Sequence, residues 1–168
     1  MVRYWLKSIL SGLLIALGCA VNIKIGGIYG AVLFATGLVT IITFHLPLFT
    51  GIVAEKPSWR MILVLVGNVL GAAVGHFLWL AEIEPVETSL VELFCGACGT
   101  GVLMVAAYRS QSKLIAVFGV ALFILCGFPH CIAEVGYFRM TWQQWLVALA
   151  GNIVGGQVWR ILKNDEGI

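Results

Sequence analysis

The chain has 168 residues, of which 61% are apolar and 11% are charged, and its formal net charge is +2. A water-soluble domain of this length needs more polar surface. Helices that are apolar on every side belong in a membrane or inside a much larger protein. The small net charge and the lack of a basic, aromatic stretch argue against a nucleic-acid partner. The composition therefore predicts an integral membrane protein surrounded by a lipid bilayer.

Six apolar stretches are long enough, or nearly so, to cross a bilayer, which takes about 20 residues. In chain order they cover residues 8–23, 27–44, 59–81, 90–108, 113–127 and 142–162. No small-residue cleavage site of a signal peptide follows the first stretch, so we expect it to be retained. Eight of the ten Lys and Arg residues lie on the side of the two termini, and Lys24 and Arg139 lie on the other. This bias predicts cytoplasmic termini.

The two halves of the sequence share a motif. Gly67-Asn68-Val-Leu-Gly71 recurs as Gly151-Asn152-Ile-Val-Gly155, 84 residues later, and Gly12 matches Gly96 at the same offset. Because each half holds three spans, an odd number, the halves must have opposite orientations in the membrane. The sequence predicts two inverted repeats, 1–83 and 84–168, whose substrate site lies where the repeats meet.

One span in each half is interrupted. The break in the second span covers 45–51 and contains Pro47, which lacks a backbone donor, and Gly51, which permits unusual backbone angles. The break in the fifth span covers 127–134 and begins at Gly127. Non-helical backbone at membrane depth is tolerated where it is buried in protein or lines a water-filled cavity. The paired breaks therefore predict a transport site.

The polar side chains of the breaks are candidates for the site. At an offset of 84 residues, Leu46 is the counterpart of His130, and Thr50 is the counterpart of Glu134. His130 and Glu134 share one face if the helix resumes after Pro129. They are interpreted as a pore-lining proton relay or coupled pair, and the alternative is a structural hydrogen-bonded pair that holds the broken helix.

Asn68 and Asn152, from the repeated motif, are expected to hydrogen-bond the freed backbone of the opposite breaks. This role as a scaffold is favoured over direct contact with a substrate.

These segments together resemble the formate/nitrite transporter family over nearly the whole chain. The matching segments are Ile15-Ala-Leu-Gly18 in the first span, Leu48-Phe-Thr-Gly51 in the second, the two Gly-Asn-x-x-Gly motifs in the third and sixth, and Gly127-Phe128-x-His130-x-x-Ala133 in the fifth. The resemblance implies an all-α, aquaporin-like fold of six spans in which the second and fifth helices are broken. It also implies a homopentamer with one pore per subunit, in a bacterial inner membrane.

The resemblance implies roles for individual residues as well. A central histidine in the fifth-span break faces a threonine of the second-span loop, and these roles fall on His130 and Thr50. The hydrophobic constrictions on either side would include Phe34, Leu38, Leu48 and Phe123. A dry constriction excludes hydrated ions, whereas a polar midpoint can exchange a proton with a weak acid, so that the neutral form crosses. The implied solutes are small monovalent anions or their conjugate acids, of the formate, nitrite or hydrosulfide class.

The chain departs from the family at two positions. Glu134 stands where the family motif ends in asparagine, and Glu84 lies near the place of a family lysine that draws anions to the pore. Lys24 could replace that lysine or pair with the acidic residues of the mouth. An acidic mouth repels anions, and a buried carboxylate is costly unless it is paired or protonated. The alternative function is therefore conduction of ammonium, another small cation or a neutral solute.

Functions of another class find little support in the sequence. It contains no H-E-x-x-H, G-x-S-x-G or phosphate-binding glycine loop, and Cys95-Gly-Ala-Cys98 alone offers too few ligands for a metal site. Small residues in a span are more typical of close helix packing. We therefore expect a channel or transporter that is not an enzyme and has no cofactor. A purely structural subunit is disfavoured by the paired breaks.

Overall fold

The computed structural model describes the backbone of residues 2–79 and 84–165, and the side chains of those ranges as far as Leu162. Glu82 and Ile83, at the predicted boundary between the halves, lie outside the described residues. The described ranges are helical, without strands. In chain order the helices are α1 (Val2–Ile25), α2 (Gly27–Thr43), α3 (Phe49–Ile52), α4 (Trp59–Trp79), α5 (Leu90–Ser110), α6 (Lys113–Leu125), α7 (Cys131–Tyr137) and α8 (Trp142–Asp165).

Four of these helices, α1, α4, α5 and α8, are long and apolar enough to cross a membrane. Helices α2 and α6 are apolar but shorter, with 17 and 13 residues. Large apolar side chains such as Ile62, Phe118 and Ile161 are exposed on the surface of the molecule. Water would penalise that surface, whereas lipid tails solvate it. The chain is an integral membrane protein.

The two predicted breaks are present, but each is shorter than expected. Residues 44–48 separate α2 from α3, and residues 126–130 separate α6 from α7. The chain turns through left-handed backbone at His45 (φ 49°) and Gly127 (φ 68°), and a proline follows two residues later in both cases. Proline cannot continue the preceding helix but is compatible with a new helical start. Thr50 and Glu134, placed in the breaks from the sequence, therefore lie inside α3 and α7.

Helix α1 packs along α4 in the same way that α5 packs along α8. A Cβ atom added at Gly12 would lie 1.9 Å from the carbonyl oxygen of Asn68, and one at Gly101 would lie 2.3 Å from that of Asn152. Only glycine allows the backbones to come this close. The counterpart of Gly12 is thus Gly101, and the predicted match with Gly96 is wrong, because Gly96 packs against Phe128 and Pro129 instead.

No single offset relates the two halves. The offset is 84 residues between α4 and α8, 82 between the two breaks and 89 between α1 and α5, because the connecting segments differ in length. The residue before α3 is Leu48 and the residue before α7 is His130, both with extended backbone. Leu48, and not Leu46, is therefore the counterpart of His130.

The two short helices pack mainly against different long helices. Helix α7 contacts the C-terminal ends of α1 and α4, where Asn22 donates a hydrogen bond to the Tyr137 hydroxyl. Helix α3 contacts the C-terminal halves of α5 and α8, where the Tyr108 hydroxyl donates to the carbonyl of Leu46. The largest cluster of buried apolar side chains includes residues of both short helices and of the helices around them.

Candidate functional site

His130 and Thr50, which were predicted to face each other, are in contact in the buried centre of the protein. Nε2 of His130 lies 2.9 Å from Oγ1 of Thr50, and the two residues are 1% and 0% exposed. His130 precedes α7, and its Nδ1 accepts a hydrogen bond from the N–H of Ala133 at 3.1 Å. Because Nδ1 is an acceptor, the neutral ring carries its proton on Nε2 and donates it to Thr50. The Thr50 hydroxyl keeps its own proton for a further acceptor.

The backbone of the first break is held by Asn68, which is fully buried on α4. Its Oδ1 accepts from the N–H of Phe49 at 2.8 Å, and its Nδ2 donates to the carbonyls of Ser8 and Pro47 at 2.8 and 3.2 Å. One side chain thus joins α1, α4 and the break. It satisfies backbone groups that would be costly to bury without partners.

Asn152 does the same for the second break. Its Oδ1 accepts from the N–H of Cys131 at 2.8 Å, and its Nδ2 donates to the carbonyls of Ala97 and Pro129 at 2.9 and 3.0 Å. The expectation that Asn68 and Asn152 bond the opposite breaks is wrong. Each bonds the break of its own half, because the helix that carries it packs beside that break.

The two predicted scaffold glycines differ in what they do. Gly127 has a φ of 68°, a backbone conformation that L-residues with a Cβ rarely adopt. Gly51 lies inside α3, where it needs no unusual angle. It provides space instead, because a Cβ there would lie 2.3 Å from the ring of Tyr108.

The four residues predicted to form constrictions are buried, and one of them, Phe123, contacts the histidine. The ring of Phe123 stacks on that of His130, with centroids 5.7 Å apart and planes at 18°. Phe34 meets Phe123 edge-on at 6.1 Å. Leu38 and Leu48 are fully buried in the same apolar cluster. His130 and Thr50 are thus surrounded by apolar side chains.

Glu134 is paired with Arg139, a residue that the sequence interpretation counted only as an outer positive charge. Nε and Nη2 of Arg139 each donate to one oxygen of Glu134, both at 2.8 Å. The guanidinium also lies over the ring of Tyr137, 4.7 Å from its centroid. Burial opposes the charge of Arg139, but the hydrogen bonds and the charge of Glu134 outweigh it, so its pKa is raised. This two-point pairing compensates a carboxylate that is 3% exposed.

His130 and Glu134 do not form the predicted pair. The ring of His130 bonds to Thr50 and to the Ala133 backbone, whereas the Glu134 carboxylate bonds to Arg139. In the described part of the chain the two side chains share no hydrogen bond. Arg139 follows Glu134 by five residues and lies just past the end of α7, so the i, i+3 and i, i+4 spacings of a helix face did not indicate the pairing that does occur.

Two cavities lie next to each other beside these residues. The mouth cavity, of about 360 Å³, is lined by residues that include Glu84, Glu92 and Met140. The inner cavity, of about 70 Å³, reaches His130 and Glu134. Both are lined by Gly127, Phe128 and Arg139.

No protein-family model matches the sequence, and no curated protein matches it. Solved structures do match. A pentameric formate channel with formate bound aligns with a TM-score of 0.80 over 96% of this chain and 95% of that one, at 17% identity. A second structure, an ion channel of the formate/nitrite transporter (FNT) family, aligns with a TM-score of 0.79 over 99% and 90% of the two chains, at 18% identity. The chain has the formate-channel fold. The resemblance seen in the sequence is confirmed at the level of the fold.

Within the formate-channel fold, the two residues predicted for the outer mouth differ in position. Glu84 is exposed and lines the mouth cavity. Lys24, at the end of α1, lines neither cavity. Among the described residues the ion pair found is Arg139 with Glu134, so the structure gives no partner for Lys24 in those ranges.

The cysteines of this formate-channel fold are free thiols. A Cβ at Gly155 would lie 1.9 Å from the Cys98 carbonyl, so this stretch of α5 packs tightly against α8. The described side chains, those of residues 2–79 and 84–162, include no group of three or more His, Cys, Asp or Glu that could hold a metal ion.

Proposed function

We propose that the chain is a member of the formate/nitrite transporter family and forms a pore for a small monovalent anion or its conjugate weak acid. The observation that carries the proposal is the buried contact of His130, at the end of the second break, with Thr50 of α3. Near-complete alignment with a channel solved with formate bound supports it. On this proposal the protein is a channel and not an enzyme.

The proposed architecture has six spans in two inverted repeats, divided at residues 83 and 84. Helices α1, α4, α5 and α8 each form one span, whereas α2 with α3 and α6 with α7 form the two broken spans. The matching roles of Asn68 and Asn152 support this division. We further propose a homopentamer in a bacterial inner membrane, with both termini cytoplasmic, as the positive-charge bias favours.

In the proposed mechanism, the apolar side chains around the centre exclude hydrated ions, and the polar centre allows proton exchange. Phe34, Leu38, Leu48 and Phe123 would form the constrictions. His130 carries its resting proton on Nε2, so a second proton must go to Nδ1 and displace the bond from Ala133. An anion beside the ring stabilises the charged form, because opposite charges attract strongly in a dry site. The ring is therefore neutral at rest and charged during exchange.

The test is solute flux into liposomes at pH 5 to 7 for wild type and His130→Asn. Asparagine is a good N-cap, so the start of α7 is kept while the titratable ring is removed. We expect formate and nitrite flux to fall at least about tenfold, as for loss of a positioned acid or base. His45→Asn is the matched control, because His45 is exposed and asparagine tolerates its left-handed backbone. Full anion flux in His130→Asn would remove the histidine from the mechanism.

A second candidate function rests on the acidic wall of the mouth cavity. Glu84 and Glu92 both line it, and such a wall attracts cations. The same fold would then conduct ammonium, another small cation or a neutral solute. Methylammonium flux in the absence of formate, nitrite and hydrosulfide flux would establish this function in place of the first.

A further inference from the structure

Arg139 stands between the two cavities. It lines both, together with Gly127 and Phe128, and it is the charged member of these three. A solute that moved from the mouth cavity into the inner cavity, which reaches His130, would pass these three residues. The Arg139 side chain is 27% exposed, so part of it is accessible to a solute.

The guanidinium of Arg139 is held along one edge and on one face, and its other edge keeps free N–H donors. Nε and Nη2 bond to Glu134, and the ring of Tyr137 lies against the face. Tyr137 is itself held by the hydrogen bond from Asn22 at 2.8 Å. Within the described ranges neither Nη1 nor the second N–H of Nη2 has a protein partner. The remaining donors form the end-on edge of a planar fork.

We propose that this edge of Arg139 is a docking site for a planar anion with two oxygens, of the carboxylate or nitrite class, and that Glu134 is its positioning residue. The inference rests on the proposed function and names the solute class that the pore prefers. Two oxygens on one atom match two parallel N–H donors, whereas hydrosulfide has a single acceptor atom. The pore selects planar oxyanions over hydrosulfide at this point.

The charge balance of the pair suits a site that must also release its ligand. Glu134 cancels the net charge of Arg139, so the anion is held by directed hydrogen bonds and not by an unopposed positive charge. A channel site has to bind strongly enough for entry and weakly enough for exit. The directed donors also provide an attraction for anions beyond the acidic residues Glu84 and Glu92 of the mouth cavity.

The first measurement is direct binding of ¹³C-formate to the detergent-solubilised full chain, followed by NMR line broadening, for wild type and Arg139→Lys. Lysine keeps the positive charge beside Glu134 but removes the planar fork. We expect saturable binding in wild type and at least about tenfold weaker binding in the variant, the loss of one charge-assisted hydrogen bond. Equal binding in the two proteins overturns the inference.

The second measurement is the ratio of formate to hydrosulfide flux in liposomes. We expect Arg139→Lys and Glu134→Gln to lower this ratio about tenfold. A merely structural role of Glu134 would lower both fluxes together, and that result overturns the positioning role. Arg109→Lys is the matched control, because it makes the same change at an exposed position in the last turn of α5. A wild type that binds formate through Arg139 but passes no anion contradicts the proposed function and leaves the docking site intact.

Discussion

Replacing Asn152 by alanine tests whether the two asparagines hold the breaks. The substitution removes three buried hydrogen bonds, at 2.8, 2.9 and 3.0 Å. The N–H of Cys131 then has no partner, at a cost of about 1–3 kcal/mol, and the carbonyls of Ala97 and Pro129 each lose one donor. Together these losses should lower the free energy of unfolding by about 2–5 kcal/mol. In a chain of this size that corresponds to a melting temperature lower by roughly 5–15 °C.

The assay is thermal unfolding of the purified protein in detergent, followed by tryptophan fluorescence. Asn68→Ala removes the matching set of bonds in the other half, so its melting temperature should fall by a similar amount. Asn22→Ala is the control, because Asn22 is only partly buried and donates one hydrogen bond to Tyr137. A melting temperature of Asn152→Ala equal to that of the control would refute the reasoning, since the break would then be held by other contacts.

Two further substitutions test the packing and the polar centre. Gly51→Ala places a methyl group 2.3 Å from the Tyr108 ring, so we expect about 1–3 kcal/mol of destabilisation. Gly119→Ala is the control, because its methyl group would have its nearest neighbouring atom at 3.9 Å, and the melting temperature should stay the same or rise. Equal changes in melting temperature for Gly51→Ala and Gly119→Ala would contradict the packing argument. Thr50→Val keeps the shape but leaves the Nε2 proton of His130 without an acceptor, so solute flux should fall at least about tenfold. Thr50→Ser should retain flux, and a loss in both variants would show that shape and not the hydroxyl matters.

The sequence predicted the parts of this protein that depend on local composition. Apolar length placed the long helices, and proline with glycine located the two interruptions near Pro47 and Pro129. The contact of His130 with Thr50 was also predicted, through the resemblance of the two broken segments to a known family. These features are encoded within a few neighbouring residues, where steric rules and span length decide the outcome.

The errors came from distances along the chain that local patterns do not contain. An offset of 84 residues relates α4 to α8. Because the connecting segments differ in length, the offset is 82 residues between the two breaks and 89 residues between α1 and α5. The return of Arg139 onto Glu134 depends on how the chain leaves α7, through the left-handed residue Phe138. A count of charges by membrane side has no information about that turn.

The asparagine contacts also bear on the order in which the protein can assemble during synthesis. Every partner of Asn68, namely Ser8, Pro47 and Phe49, precedes it in the chain, and the same is true of Asn152 with Ala97, Pro129 and Cys131. Each set can therefore close as soon as its asparagine has entered the membrane, without waiting for later residues. N-terminal segments fold first during synthesis. The hydrogen bonds of Asn68 can therefore form before the second half is inserted, and the second half can then pack against a first half that is already folded.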